Sequence, residues 1–449
     1  MPIRTLAGWL CVAGLAACSG PGNEAAKRRP EGEPRKQWSG ISYAASTRVE
    51  PLPVPAAATG FDAERVWSGD DDWEPFLAVD PSGAYVYQLT TRYVAPKYRI
   101  ALRRSSDGGA TWEMDRLIHD SGIAQADPSA IVSGDGTVFA AWLERWDTVL
   151  SRSEDHGLTW SEPIVLNAGL NWSDYPSLAV SANGDDVYAA FNRAQSFVAA
   201  SHDAGESFAP PVQTHRDDLY WFHGGGGVAP NGDVYFGATG MRPSYRGKVR
   251  IVVLRSRDGG LTWEILEIDR SKETPLCEWA PGCYQGFLAP VASVAVDREG
   301  TLVAVYNSGG AEREPQGLWS RRSVDGGETW SPRKRLSRAS PQIHNVFSRV
   351  ATGPAAGDFR VVWQASHGKD PGAWNTYYRS STDGGATWSR RQRLSDQATG
   401  APYKRRRGYA FPYGDYMALA VDGNGDNYVI WGEGISYHGP GGSWYTRGR

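Results

Sequence analysis

An all-β fold, a propeller of seven four-stranded antiparallel blades whose ring is closed by an N-terminal strand, is what this sequence predicts. Three observations carry the prediction. The phrase Ser-x-Asp-x-Gly-x-Thr/Ser-aromatic returns six times, its aspartates at Asp107, Asp155, Asp203, Asp258, Asp325 and Asp383, a period of 48 to 67 residues. Repeats of that length made of short strands and turns belong to solenoids or propellers. An apolar strand, a Gly/Asn/Asp turn and a second apolar strand recur seven times, which is a hairpin signal. Finally, 53 Gly, 19 Trp and only 4 Met suit strands joined by tight turns, and no long stretch sets apolar residues at helical spacing.

Taken in chain order, residues 1–18 read as an export signal. Arg4 gives the positive start, Leu6 to Ala17 a short apolar run, and Leu15-Ala16-Ala17-Cys18 the close. The run is too short to span a bilayer. Small residues before a cysteine resemble a bacterial lipoprotein lipobox, which makes Cys18 the lipidation site and, with Ser19 after it, an outer-membrane anchor the expectation. Residues 19–60 are rich in Pro, Gly, Ala and mixed charge without apolar period, and read as a flexible tether.

Residues 61–449 form the repeat domain. Its hairpins start at Glu74, Asp127, Tyr175, Gly225, Ala289, Ser348 and Gly414. A third strand leads from each hairpin into a box and a fourth follows it, as in SEPIVLN after Trp160. Four antiparallel strands per unit make a blade. The seventh hairpin is followed by GGSWYTRGR and no box, whereas FDAERVWSG (Phe61 to Gly69) resembles a post-box segment with no box before it. The N-terminal segment therefore supplies the missing strand of the last blade, which removes two exposed sheet edges. Six blades is the alternative if one unit is degenerate.

Several functions are excluded or disfavoured. A formal charge of -3 lacks the broad basic field of a nucleic-acid binder, and the run Lys404 to Arg407 reads as a solvated loop. Cys277 and Cys283, spaced CEWAPGC, read as a small disulfide loop in an oxidising compartment; zinc would need ligands from a second Cys pair or a His-rich tract. Asp422, Asn424, Asp426 and Glu433 match a calcium-loop spacing, but Asn427 stands where the sharp-turn Gly is needed, so the stretch reads as a hairpin turn. No nucleotide-binding loop or Ser-nucleophile elbow is present, and no cofactor or metal is called for.

The phrase S-x-D-x-G-x-T-W is the Asp box, and with the blade count residues 61–449 resemble the sialidase superfamily of BNR-repeat proteins. In that family the box is a structural turn between third and fourth strands. The chemistry agrees: the carboxylate accepts turn N–H groups, the Gly permits positive φ, and the Trp packs between sheets. Function is then expected on the opposite mouth, where first strands start and second strands end.

The mouth loops supply carboxylates, arginines and broad aromatics, the set that reads sugar hydroxyls, clamps a carboxylate and covers a pyranose face. The substrate-binding candidates are Arg92, Glu144, Arg145, Trp146, Asp174, Arg193, Trp221 and Arg242, and the wider mouth set includes Asp70, Glu74, Asp127, Tyr175, Tyr220, His223, His344, Tyr413, Asp415 and His438. Catalytic sialidases use three arginines on the substrate carboxylate, a Tyr nucleophile assisted by Glu, and an Asp acid/base. The resemblance puts Tyr416 in the nucleophile's place, Glu433 as its assistant and Asp72 as acid/base. Yet WEPFLAVD at Trp73 to Asp80 has no arginine where the family's first one stands, and catalytic members usually have six blades. The reading is a surface-anchored monomer that binds an acidic glycan, with sialidase-like exo-glycosidase activity as its catalytic form. A non-catalytic platform for proteins or envelope polymers is the alternative. A lyase or hydrolase for another acidic polysaccharide is a third.

Overall fold

The computed structural model describes residues 58–67, 72–94, 97–276, 285–337, 340, 343–367, 370–395, 401–402, 416–434 and 441–449. Cys18 and the signal, nearly all of the tether, Cys277, Cys283, and the mouth candidates Asp70, Tyr413, Asp415 and His438 lie outside these residues.

Seven antiparallel sheets follow one another among the described residues. Blade 1 runs Asp72–Val79, Val86–Val94, Lys97–Ser105 and Arg116–Leu117, hydrogen-bonded in that order. Blades 2 to 7 repeat it, with first strands Gln125–Val132, Asp174–Val180, Tyr220–Val228, Ala292–Val296, Asn345–Thr352 and Met417–Val421. Each first strand packs against the next blade's, and Met417–Val421 packs back on Asp72–Val79, so the ring is closed with seven blades. In blade 6 an additional short strand, Ala401–Pro402, pairs with the third.

The N-terminal strand completes the last blade as the hairpin and box counts require. Arg65 and Val66 pair with Tyr445 and Trp444. The seam is reinforced by Trp67 N–H on the Ser443 carbonyl (2.7 Å) and by the Trp67 indole N–H on both Asp115 oxygens (3.0 and 3.1 Å).

Second strands read as continuous apolar runs because both of their faces are buried. In Val138–Glu144, Val138, Ala140 and Trp142 enter the core shared with blade 1, while Phe139 and Ala141 enter the core shared with blade 3. The two-residue period thus serves two cores at once.

The boxes are self-contained turns. In the first, Ser105 Oγ donates to Asp107 Oδ1 (2.8 Å) and accepts from Gly109 N–H (2.8 Å), while Asp107 accepts Thr111 N–H (2.8 Å) and Thr111 Oγ1 (2.6 Å). The same bonds recur around Asp203 and Asp383. Gly205, at φ +78, is also sterically required: a Cβ would lie 2.9 Å from the Phe139 ring of blade 2. The arginine just before a box reaches the next blade's box: Arg104 to the His156 carbonyl (2.5 Å), Arg152 to Ala204 (3.2 Å) and Arg255 to Gly326 (2.7 Å); in blade 7, which has no box, Arg447 near the end of the third strand reaches Gly108 in the same way (2.8 Å). The boxes therefore hold strands within a blade and blades to one another. They sit beside the hairpin turns between first and second strands, as Gly108 N–H on Ala84 O (2.8 Å) illustrates, and so lie away from the first-strand starts.

The calcium-like spacing is likewise a turn: Asp422 Oδ1 accepts the N–H groups of Asn424 and Asp426, both at 2.9 Å.

Candidate functional site

A β-bulge interrupts the ladder near the start of five first strands, at Trp73/Phe76, Ala126/Ser129, Asp174/Ser177, His223/Gly225 and Val346/Arg349. In four of them the extra residue is not glycine yet has positive φ: Glu74 (53°), Asp127 (56°), Tyr175 (56°) and Phe347 (53°). Three are followed by proline, which bars the right-handed helical conformation from the residue before it. Such a conformation costs on the order of 1–3 kcal/mol per residue and re-aims the side chain.

Three of the re-aimed groups, Glu74, Asp127 and Tyr175, meet at the ring axis around Tyr416. Glu74 Oε2 accepts Thr91 Oγ1 (2.7 Å) and the backbone N–H of Asp127 (2.8 Å), joining blades 1 and 2. Tyr175 of blade 3 packs on Tyr416 of blade 7 with ring centroids 4.7 Å apart. Its hydroxyl accepts a hydrogen bond from Arg349 Nη2 of blade 6 (3.1 Å). Blade 3 adjoins neither blade 6 nor blade 7, so both contacts cross the channel. Tyr220 OH reaches Asp174 Oδ2 and Asn192 Oδ1, each at 3.4 Å.

Burial dominates the electrostatics. Glu74 is fully buried, and desolvation followed by the Asp127 charge holds its carboxyl well above the usual range. Tyr416, 1% exposed, is pushed well above an ordinary phenol by burial and then by Asp127, Tyr175, Glu74 and Asp174. Its hydroxyl has no hydrogen-bond partner among the described residues. An unpartnered buried hydroxyl costs about 1–3 kcal/mol, so the cluster holds a polar atom at a loss of stability.

The other candidates are placed as follows. Asp72 and Arg92 form a two-pronged ion pair (2.6 and 3.1 Å), and Arg92 also binds Asp115 (2.6 Å) beside the Trp67 ring, so this arginine serves the seam. Glu433 accepts the Trp431 indole N–H (2.9 Å). The carboxylates that most affect Tyr416 are thus Asp127, Glu74 and Asp174, rather than Glu433 or Asp72. Glu144 accepts from Ser121 and, at 3.3 Å, from Gln125. Arg145 is exposed at a tight turn with φ 63°, and the half-buried Trp146 offers its carbonyl to Ser173. Arg193 is held by Asn171 Oδ1 (2.7 Å), and Arg242 is exposed in the loop after Val234–Met241. Trp221, expected at the mouth, is fully buried in the core between blades 3 and 4, with its N–H on Asp217 (2.9 Å) and His215 against its ring (4.2 Å). His223 is buried against Ser196 Oγ (2.8 Å), and desolvation lowers its pKa to about 3.

Sequence reasoning missed Arg349. The register shows what could have found it: the equivalent inner-strand positions are Phe76, Ser129, Ser177, Gly225, Ser293 and Ala418, one large and the rest small. A lone guanidinium in that series is a polar group aimed at the axis.

Fold and box geometry together define an Asp-box β-propeller. The family described as BNR repeat-like domain is similar to this chain over residues 81–218, which fall within the first three blades. No curated protein matches the sequence. Among solved structures, the polysaccharide lyase PL25-ulvan lyase is similar over 86% of this chain and 95% of its own, at 14% identity and TM-score 0.50. A Hadza microbial sialidase is similar over 80% and 73%, at 14% identity and TM-score 0.47. The α-L-arabinanase of Penicillium chrysogenum, complexed with arabinobiose, is similar over 75% and 100%, at 18% identity and TM-score 0.44.

Proposed function

We propose that the chain is a carbohydrate-active propeller that binds an acidic glycan at its mouth, with exo-glycosidase activity of the sialidase kind centred on Tyr416. The observation that carries this reading is the Tyr416 hydroxyl, buried and unpartnered among the described residues, against Tyr175 and beside the carboxylates of Asp127, Glu74 and Asp174. As the Tyr416 oxygen bonds to the glycosidic carbon, the C–O bond to the aglycone breaks: a neighbouring carboxylate takes the phenol proton, a protonated carboxyl gives one to the departing oxygen, and water then hydrolyses the glycosyl-tyrosine. Arg349 on the Tyr175 hydroxyl supplies fixed positive charge at the same place. Glycan chemistry is also what the similar ulvan lyase carries on this fold.

The test is incubation of the full chain with a fluorogenic sialoside and a panel of uronides, alongside glycan-array binding. Release should fall on the order of 10²-fold or more in Tyr416→Phe with glycan binding retained. Binding without turnover of any glycoside would leave the non-catalytic platform standing. Absence of both would sink the reading.

We further propose envelope anchoring through an acylated Cys18. Detergent-phase partition of the exported chain should be lost in Cys18→Ala, and an unchanged partition would overturn the anchor.

A further inference from the structure

We propose that the outer wall of blades 5 and 6 is an electrostatic docking face for an anionic lipid surface. The wall is made by fourth strands and the segments leading into them. Residues 331–337 carry three cations (Arg333, Lys334 and Arg335) and residues 389–394 three more (Arg390, Arg391 and Arg393), with no acidic residue in either. Two matching segments elsewhere run the other way, 113–118 with one cation against two acids and 264–271 with one against three, and 209–214 carries no charge.

Neutralisation differs in the same sense. Arginines of blades 1, 2 and 4 are held by carboxylates, as Arg103 by Asp115 (2.9 Å), Arg152 by Glu206 (3.0 Å) and Arg250 by Glu267 (2.8 Å). Lys334, Arg335, Arg390 and Arg391 make no ion pair among the described residues, and Lys334, Arg335, Arg390 and Arg391 are exposed. The two runs adjoin, because Lys334 donates to the Ala386 carbonyl of the blade 6 box. Arg391 lies over the Tyr377 ring (4.4 Å), which holds it on the wall without cancelling its charge, whereas Arg333, over Trp319 (4.2 Å), is paired with Asp269 (3.4 Å).

The occupant follows from where the chain enters the ring. Ala58 and Thr59 line one groove with Ser389, Arg390, Gln392 and Arg393. Ala58, the first described residue, therefore marks this wall as the place where the chain joins the ring. Between Cys18 and Ala58 a random coil has a reach of roughly 35 Å. A body tethered there presents the basic wall to whatever holds the tether. The charge asymmetry stands without the anchor; the choice of lipid as partner rests on it.

The experiment measures co-sedimentation of the full chain carrying Cys18→Ala with phosphatidylglycerol-containing and pure phosphatidylcholine vesicles, read as the ratio of the two affinities. The leader with Arg4 and the cations of the tether are the same in the parent and in every variant, so their contribution cancels when the variants' ratios are compared with the parent's. Each cation at an anionic surface strengthens binding about fivefold. The ratio should therefore drop at least tenfold, roughly, in the quadruple variant Lys334→Gln, Arg335→Gln, Arg390→Gln, Arg391→Gln, and collapse at high salt. A control, Arg257→Gln with Arg270→Gln on blade 4, should keep it. Equal loss in both variants, a ratio near one for the parent chain, or binding of soluble dextran sulfate without vesicle binding would each overturn the proposal. Should the quadruple variant misfold by circular dichroism, the double variant Arg335→Gln, Arg390→Gln gives the same reading. No glycoside enters this assay, so its failure is separable from failure of the mouth as a glycan site.

Discussion

At the scale of single residues, charge and burial sort the aspartates and glutamates into two populations. Asp203 and Asp383 lie on the surface, yet their carboxyls are held at about 2: Ser201 and Ser207 donate to the first, and Thr387 side chain and backbone to the second. A carboxylate whose folded value lies below its ordinary 3.8 stabilises the fold fully above that value and loses the contribution as pH falls towards 2. Acid unfolding, followed by tryptophan fluorescence, should therefore be concentrated between about pH 4 and pH 2. Asp383→Asn keeps one acceptor but cannot accept both Thr387 groups, and should cost about 1 kcal/mol at neutral pH and flatten the acid transition. An unaltered acid transition in that variant would show that the box is not a source of the pH dependence. Glu74 belongs to the other population, because it is buried beside Asp127 and its carboxyl is raised instead.

At the scale of elements, legibility follows the range of the interactions involved. Boxes and hairpins could be read from the chain because Ser105, Asp107, Gly109 and Thr111 satisfy one another within a few residues. The bulges were half legible: Glu74-Pro75, Asp127-Pro128 and Tyr175-Pro176 stand at hairpin starts, but nothing local says that the backbone turns to positive φ there. The axial contacts were not legible at all. Tyr175 and Arg349 are 174 positions apart, and only ring closure brings them together. The same range explains Trp221. Its position near a strand start suggested the mouth, whereas the sheet's pleat sends its ring into the core between blades.

At the scale of the whole molecule, the seven blades leave one junction unlike the rest, where Arg65 and Val66 close blade 7. Trp67 is the strongest single contact there, being 5% exposed with its indole N–H on Asp115. Trp67→Ala should destabilise the ring by about 3–5 kcal/mol and Trp67→Phe by less, measured as chemical denaturation midpoints. Soluble oligomers should appear with the alanine variant as the blade 7 edge is bared. A variant as stable and monomeric as the parent would mean that the seam is held chiefly by backbone pairing.

That junction also dictates an order of events during biosynthesis. The strand at Arg65 and Val66 leaves the ribosome early, but its partner at Trp444 and Tyr445 emerges some 380 residues later, so the circle stays open until that partner is made. Until then the segment Arg65–Val66 and the free edge of Gly441–Gly448 await each other, and their meeting locks every earlier blade in place at a single late moment.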